Sequence, residues 1–311
     1  MISVALALLV LSAPAEVRVS HRKVTTLDGA ALALHRYLPP GGGLGAPPVL
    51  LISDAGFGRG LFDFAGGGLA RFLAAKGRAV YVAELRGQGT ADAGHSLRTV
   101  VALDLPAIAQ AIAAERPGEI DLVAHGYVGT LALAATTREL HVRRVIALNT
   151  PVQPEAPTLL AAWFLSGGGR FSSLASSPEG FGAFEQLFSM GARVDRRVTA
   201  GFMANASRDL SRPVAAELSS WMALGDLPLD DGTSVRSRLR QYDRPTLVLL
   251  GLADGWAPAE SCTPLRELAR GKVTLHLFSR TLEGDDFAHV SLLTGERAPR
   301  FVFPEIERFL Q

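Results

Sequence analysis

The sequence predicts an α/β fold: a mostly parallel central sheet flanked by helices, with one helical insertion late in the chain. Three observations carry this expectation. Short apolar runs recur at 49–52, 79–83, 120–124, 142–148, 246–250 and 273–278, most of them apolar at successive positions, as strands buried on both faces require. Helical spacing or Gly-rich turns separate the runs, the alternation that builds parallel sheets. One interval, 151–243, breaks the rhythm: it holds amphipathic helical stretches and no buried strand, and is too long for an unstructured loop.

The elements follow in order. Residues 17–26 and 31–37 alternate apolar and polar side chains around Asp28 and Gly29, the pattern of an antiparallel hairpin. A Pro/Gly-rich loop over 39–48 leads into strand 49–52, whose Gly-rich exit at 56–60 precedes a helix over 69–75. Strand 79–83, a helix over 103–114 and strand 120–124 come next, then a helix of small residues over 127–137 and strand 142–148. Inside the insertion, 159–165, 181–190, 198–206 and 214–224 have helical spacing, and 167–169 and 172–177 read as joints. Strands 246–250 and 273–278 return to the sheet, and a closing helix is expected to start at Pro304, because proline suits a first helical turn. The expected division is a core of 16–150 and 244–311 around an insertion of 151–243.

Composition narrows the function classes. The chain carries 31 basic and 30 acidic residues, interspersed, for a net charge of +1, which argues against a nucleic-acid surface. A hydrophobic content of 48% over 311 residues supports a large core. No run approaches the ~18 consecutive apolar residues of a membrane span. Cys262 is the one cysteine, so no intrachain disulfide can form. The seven histidines are scattered without metal-ligand spacing, and Gly56, Gly58 and Gly60 lack the dinucleotide spacing, so no metal and no cofactor are expected. Residues 1–15 admit two readings. The apolar stretch 2–11 followed by Ala13, Pro14 and Ala15 suits a cleaved signal and export, whereas the lack of a preceding Lys or Arg suits a simple leader on a cytoplasmic protein.

The chemistry centres on the run Leu122, Val123, Ala124, His125, Gly126, Tyr127, Val128, Gly129: a strand, a tight turn and a helix of small residues. That is the context of a nucleophile elbow, where small neighbours are needed because the turn is sharp and the helix packs close to the strand. Gly126 stands where the nucleophile is expected. In this architecture an acid follows a late strand and a histidine lies in a loop near the C-terminus, and Asp254 and His289 stand in those places. Taken singly, Asp254 also reads as a turn aspartate before Gly255, and His289 as a satisfied loop histidine. Ser53, Asp54 and Ser291 are the nearest other nucleophiles in sequence, without elbow context, and nothing brings Cys262 to His289.

These motifs together resemble the α/β-hydrolase superfamily across 16–311. The ending Ala288, His289, Val290, Ser291, Leu292, Leu293, Thr294, Gly295 is similar to the lipase and polyhydroxyalkanoate-synthase-like branches. The run around Gly126 resembles the family's Gly-His-Ser-x-Gly-Gly form with glycine at the reactive position. The resemblance implies Asp254 as acid, His289 as base and Gly126 as a vacant nucleophile position. Ala55, Gly56, Phe57, Gly58 stand in place of the family's His-Gly-x-Gly oxyanion loop, with Ala55 at the histidine, which implies Phe57 N–H and Tyr127 N–H as oxyanion donors. Glu84, Leu85, Arg86, Gly87, Gln88, Gly89 resemble the family's structural Asp-x-Arg-Gly-x-Gly turn. The insertion falls where the family carries its cap.

Without a serine Oγ there is no acyl-enzyme, and loss of the nucleophile in a serine protease costs about 10⁶-fold in kcat. Three readings follow. The protein is a non-hydrolytic relative of ester and lipid hydrolases whose capped pocket takes a hydrophobic small molecule or acyl ligand; or a hydrolase in which His289 and Asp254 activate water; or a structural partner of an active homologue. The apolar residues Leu159, Leu160, Trp163, Phe164, Phe184, Phe188, Phe202, Met203, Trp221 and Met222 suit either a ligand pocket or the insertion's own core, the plainer account.

Overall fold

A computed structural model describes residues 16–42, 45–88, 95–155, 158–188 and 196–311. The leader expected at 1–15 lies outside the described residues, as do Gly89 at the end of the expected 84–89 turn and the last two positions of the helix expected over 181–190.

Eight strands form one sheet in the order β1-β2-β4-β3-β5-β6-β7-β8. Strands β1 (Arg18–Thr25) and β2 (Ala31–Leu38) make the expected hairpin, and β2 pairs antiparallel with β4 (Val80–Glu84). From there the sheet is parallel through β3 (Val49–Ile52), β5 (Ile120–His125), β6 (Val142–Leu148), β7 (Thr246–Gly251) and β8 (Val273–Phe278). The strands β3, β5 and β7 are buried along their whole length, which is why they read as largely apolar runs, with Asp121, His125 and Thr246 the buried polar exceptions.

Helices α1 (Leu69–Ala75), α2 (Leu105–Glu115) and α3 (Gly126–Ala135) connect the parallel strands. Every residue of α3 is buried, and its glycine at 129 lets it lie against the sheet: a Cβ there would stand 2.8 Å from the Ala124 carbonyl carbon. The helical run Leu97–Glu115 includes a π turn over Val100–Asp104. Among the described residues it is the one helix long and apolar enough to cross a membrane by length and composition, and its Val100, Val101, Leu105, Ile108 and Ile112 are buried in the fold.

Between β6 and β7 lie α4 (Leu159–Ser166), α5 (Pro178–Leu187), α6 (Arg196–Ala206) and α7 (Arg212–Leu224), with shorter turns at Phe171–Leu174 and Val235–Leu239. Three of these helices start at a serine or threonine cap: Thr158 on Ala161 N–H, Ser177 on Gly180 N–H and Ser211 on Val214 N–H. The stretch 172–177, expected to be a joint, begins inside a helical turn that Ser172 ties to Asp209.

The closing helix α8 (Ala298–Leu310) starts six residues before the expected Pro304. Its first-turn proline is Pro299, and Pro304 sits inside the helix. An internal proline loses one backbone hydrogen bond, and the face formed by Val302, Phe303, Ile306 and Leu310, buried against the core, offsets that loss.

Candidate active site

Four side chains or turns meet at the C-terminal ends of the parallel strands, the edge where open α/β sheets place ligands. Asp54 follows β3, Gly126 joins β5 to α3, Asp254 follows β7 and His289 lies in the loop after β8. Gly126 has φ +64°, a left-handed conformation that favours glycine. A Cβ built there would overlap the Asp54 carboxyl group.

His289 lies between two carboxylates. Its Nδ1 donates to Asp254 Oδ2 at 2.9 Å and its Nε2 to Asp54 Oδ2 at 3.2 Å. Asp254 Oδ1 accepts the backbone N–H groups of Trp256 and Ala257, both at 2.8 Å, which fixes the turn after β7. On Asp54, Oδ1 accepts Ala55 N–H at 2.8 Å and Val128 N–H at 3.0 Å, and Oδ2 also accepts the Trp256 indole N–H at 3.0 Å. Asp54 therefore caps the N-terminal turn of α3 from the exit of the neighbouring strand, where the helix dipole favours an anion.

The electrostatics follow from burial and pairing. Burial disfavours a charged imidazole, yet the charge and hydrogen bond of Asp254, joined by those of Asp54, push His289 from 6.5 up to about 9. Burial would raise Asp54, but the His289 hydrogen bond and charge outweigh it and hold the carboxyl below its ordinary range. The neighbouring His125 is driven down to about 3 by burial and by the charge of His289, whose ring centroid is 4.2 Å away. Neutral His125 donates through Nε2 to the His289 carbonyl at 2.9 Å, and its Nδ1 has no hydrogen-bond partner among the described residues.

Other groups hold this cluster in place. Asn149, at the end of β6, accepts Gly251 N–H at 2.9 Å and donates to the Ala288 carbonyl at 3.3 Å, tying the acid and histidine loops together. Phe57 packs its ring 6.0 Å from that of His289, and Phe188 packs at 5.9 Å. The Phe188 carbonyl accepts Val290 N–H at 3.0 Å, fastening the helical region to the histidine loop. Asp54, His125 and His289 have no exposure to solvent. A narrow cleft beside Ala55 and Val128, lined mainly by Leu85, Leu97, Val100, Leu210 and Val214, has about 20 Å³ free, room for about one water.

The structure thus brings Gly126, Asp254 and His289 together, and adds Asp54, which the sequence reading had set aside. The space beside Gly126 is filled by Asp54 rather than open. One of the two expected oxyanion donors already has a partner in the loop. Phe57 N–H is engaged by the Asp54 carbonyl at 3.1 Å, and the backbone N–H groups that converge on Asp54 Oδ1 are those of Ala55 and Val128. Ser53 Oγ donates to the Phe57 carbonyl and Ser291 Oγ accepts Ala288 N–H, so both serve the loops. Cys262 is buried, and burial holds its thiol well above the ordinary value. Of the insertion's apolar residues, Phe164, Phe184, Phe188, Phe202, Met203, Trp221 and Met222 are buried, whereas Leu159 and Trp163 face solvent. Arg86 forms ion pairs with Asp28 and Asp104. Among the described residues no group of three or more His, Cys, Asp or Glu is arranged to hold a metal ion. Asp54's position at a strand's C-terminal end was the available signal for its role. Its side-chain direction was not.

Comparison with known proteins agrees with the architecture. An esterase from Exiguobacterium antarcticum superposes with a TM-score of 0.66 at 16% identity, over 93% of this chain and 98% of the other. A thermophilic esterase from Thermogutta terrifontis gives 0.64 at 18%, over 94% and 98%, and a hydrolase from Pseudomonas aeruginosa gives 0.64 at 18%, over 93% and 98%. No curated protein matches the chain. Residues 49–302, from the first parallel strand into the closing helix, match the profile of the Alpha/beta hydrolase family, and the chain belongs to that family.

Proposed function

We propose that this protein is a non-hydrolytic α/β-hydrolase, related to ester and lipid hydrolases, in which glycine 126 stands at the nucleophile position and the helices of 151–243 act as a cap. One observation carries the reading: the Asp54 carboxylate fills the side-chain space at position 126 and takes the His289 Nε2 hydrogen bond that an attacking hydroxyl would need. Acyl transfer requires a hydroxyl that His289 can deprotonate, and here His289 is an imidazolium flanked by two carboxylates. The same contact argues against water activation by His289 and Asp254, because both ring nitrogens are already engaged. The aromatic layer of Phe57, Phe164, Phe171 and Phe188 supports a hydrophobic or acyl ligand as the class such a capped site would admit once the layer parts.

The test is turnover and labelling. Native protein is expected to give neither burst release nor steady hydrolysis with p-nitrophenyl esters of varied chain length, and no covalent adduct with a fluorophosphonate. Sustained ester turnover that His289→Ala abolishes would sink this reading.

A further inference from the structure

Four hydrogen-bond donors from separate segments converge on the two oxygens of the Asp54 carboxylate. We propose that they form a carboxylate-binding site that the protein fills with its own Asp54 side chain, and that a short free monocarboxylate takes the place of that side chain when it is removed. The inference deepens the non-hydrolytic reading and rests on it, since it names what occupies the site instead of a reacting ester.

A carboxylate is planar and accepts two hydrogen bonds per oxygen with ease. The site supplies that number: Ala55 and Val128 N–H on one oxygen, Trp256 indole N–H and His289 Nε2–H on the other. These donors come from four places, the β3 loop, the first turn of α3, the β7 loop and the β8 loop. Only Ala55 is a chain neighbour of Asp54, so three of the four donors are brought to the carboxylate by the fold. Asp254, Asn149 and Phe188 fix the β7 and β8 loops independently. The cradle combines the N-terminal end of a fully buried helix with an imidazolium, so an anion is the species it is charged to receive. Gly126 completes it, because any side chain at that position would take the volume of the carboxyl group.

Size makes the idea specific. Replacing Asp54 by Ala removes only the carboxylate and leaves a hole shaped for formate. Replacing it by Gly removes the methylene as well and leaves a hole shaped for acetate. Propionate is one methylene longer than the larger of these holes. In the native chain the site is self-occupied and closed to external acids.

The experiment compares melting temperatures of native protein, Asp54→Ala, Asp54→Gly and Asp54→Asn in sodium formate, acetate, propionate and chloride at equal ionic strength. Formate should raise the melting temperature of Asp54→Ala saturably, by roughly 5 °C at a hundredfold excess over Kd, and acetate should do the same for Asp54→Gly. Native protein and the Asn variant, whose amide keeps the hole filled, should not respond. If the Ala and Gly variants fail to fold in chloride, refolding to the native circular-dichroism spectrum in their matched acid, and not in chloride, is the expected result. Variants that ignore both acids, or fail to refold in them, overturn the proposal, as does a native protein that responds equally. None of these readouts depends on turnover. Ester hydrolysis by the native protein would therefore sink the functional reading without deciding this one.

Discussion

Asp54 and Gly126 share one volume: the carboxyl group of the first lies where the Cβ of the second would be. The glycine is therefore part of a paired arrangement in which a carboxylate from the β3 loop reaches across to the first turn of α3 and to His289. The predictions below follow from that pairing.

Substituting position 126 alone should be costly. Gly126→Ala or Gly126→Ser combines a left-handed backbone with overlap against Asp54, and each variant is expected to lose ~2–4 kcal/mol of stability. Adding Asp54→Gly should relieve the overlap, so a double-mutant cycle in urea should show favourable coupling of about 1–3 kcal/mol. A serine installed without that second change should not react with a fluorophosphonate, whereas the double variant should. A single Gly126→Ser protein that is fully stable would refute the shared volume.

Removing the Asp54 charge should unbalance His289. Asp54→Ala leaves a buried imidazolium with Asp254 as its remaining carboxylate, and truncating one partner of a buried pair costs about 3–5 kcal/mol. Proton NMR of the imidazole should show His289 titrating below the native value of about 9. An unchanged titration would show that Asp54 does not stabilise the charge.

Stability should fall on both sides of neutrality. His289 is raised from 6.5 to about 9, so the stability it contributes is complete below 6.5 and is lost as pH rises through 9. His125 is lowered from 6.5 to about 3, so its contribution is complete above 6.5 and is lost as pH falls toward 3. Urea midpoints measured across that range should show both limbs, with the alkaline limb flattened in His289→Gln and the acid limb in His125→Gln.

Trp256→Phe keeps an aromatic ring but removes the indole N–H and the packing of the second ring. The indole N–H to Asp54 is a charge-assisted hydrogen bond, so its loss should cost about 1.5–3 kcal/mol in equilibrium unfolding. In Asp54→Asn the same substitution should cost measurably less, because the acceptor is then neutral. Equal costs in both backgrounds would mean that the tryptophan acts through packing alone.

Much of the fold was legible because burial leaves a direct mark on composition. Strands covered on both faces are mostly apolar, as β3 is throughout and as β5 and β7 are apart from Asp121, His125 and Thr246, and α3 carries the glycine at 129 that lets it lie against the sheet. Gly126 and Asp254 were found because each lies just beyond a recognisable strand, and His289 because the architecture expects a histidine in a loop near the C-terminus. The start of α8 was misread because proline's preference for a first turn does not forbid it inside a helix whose apolar face is well buried.

The sequence by itself determined which strand ends would converge, and that a glycine would stand at the sharpest turn among them. Only the tertiary structure decided what filled the space beside that glycine. Asp54 and His289 are 235 residues apart, and at a strand exit neighbouring residues point in different directions, so Ser53 and Asp54 were equivalent candidates until the loop was placed. A side chain's direction across a sheet is set by packing and by the hydrogen bonds it finds there. The donors that hold Asp54 come from segments that meet only when the chain is folded.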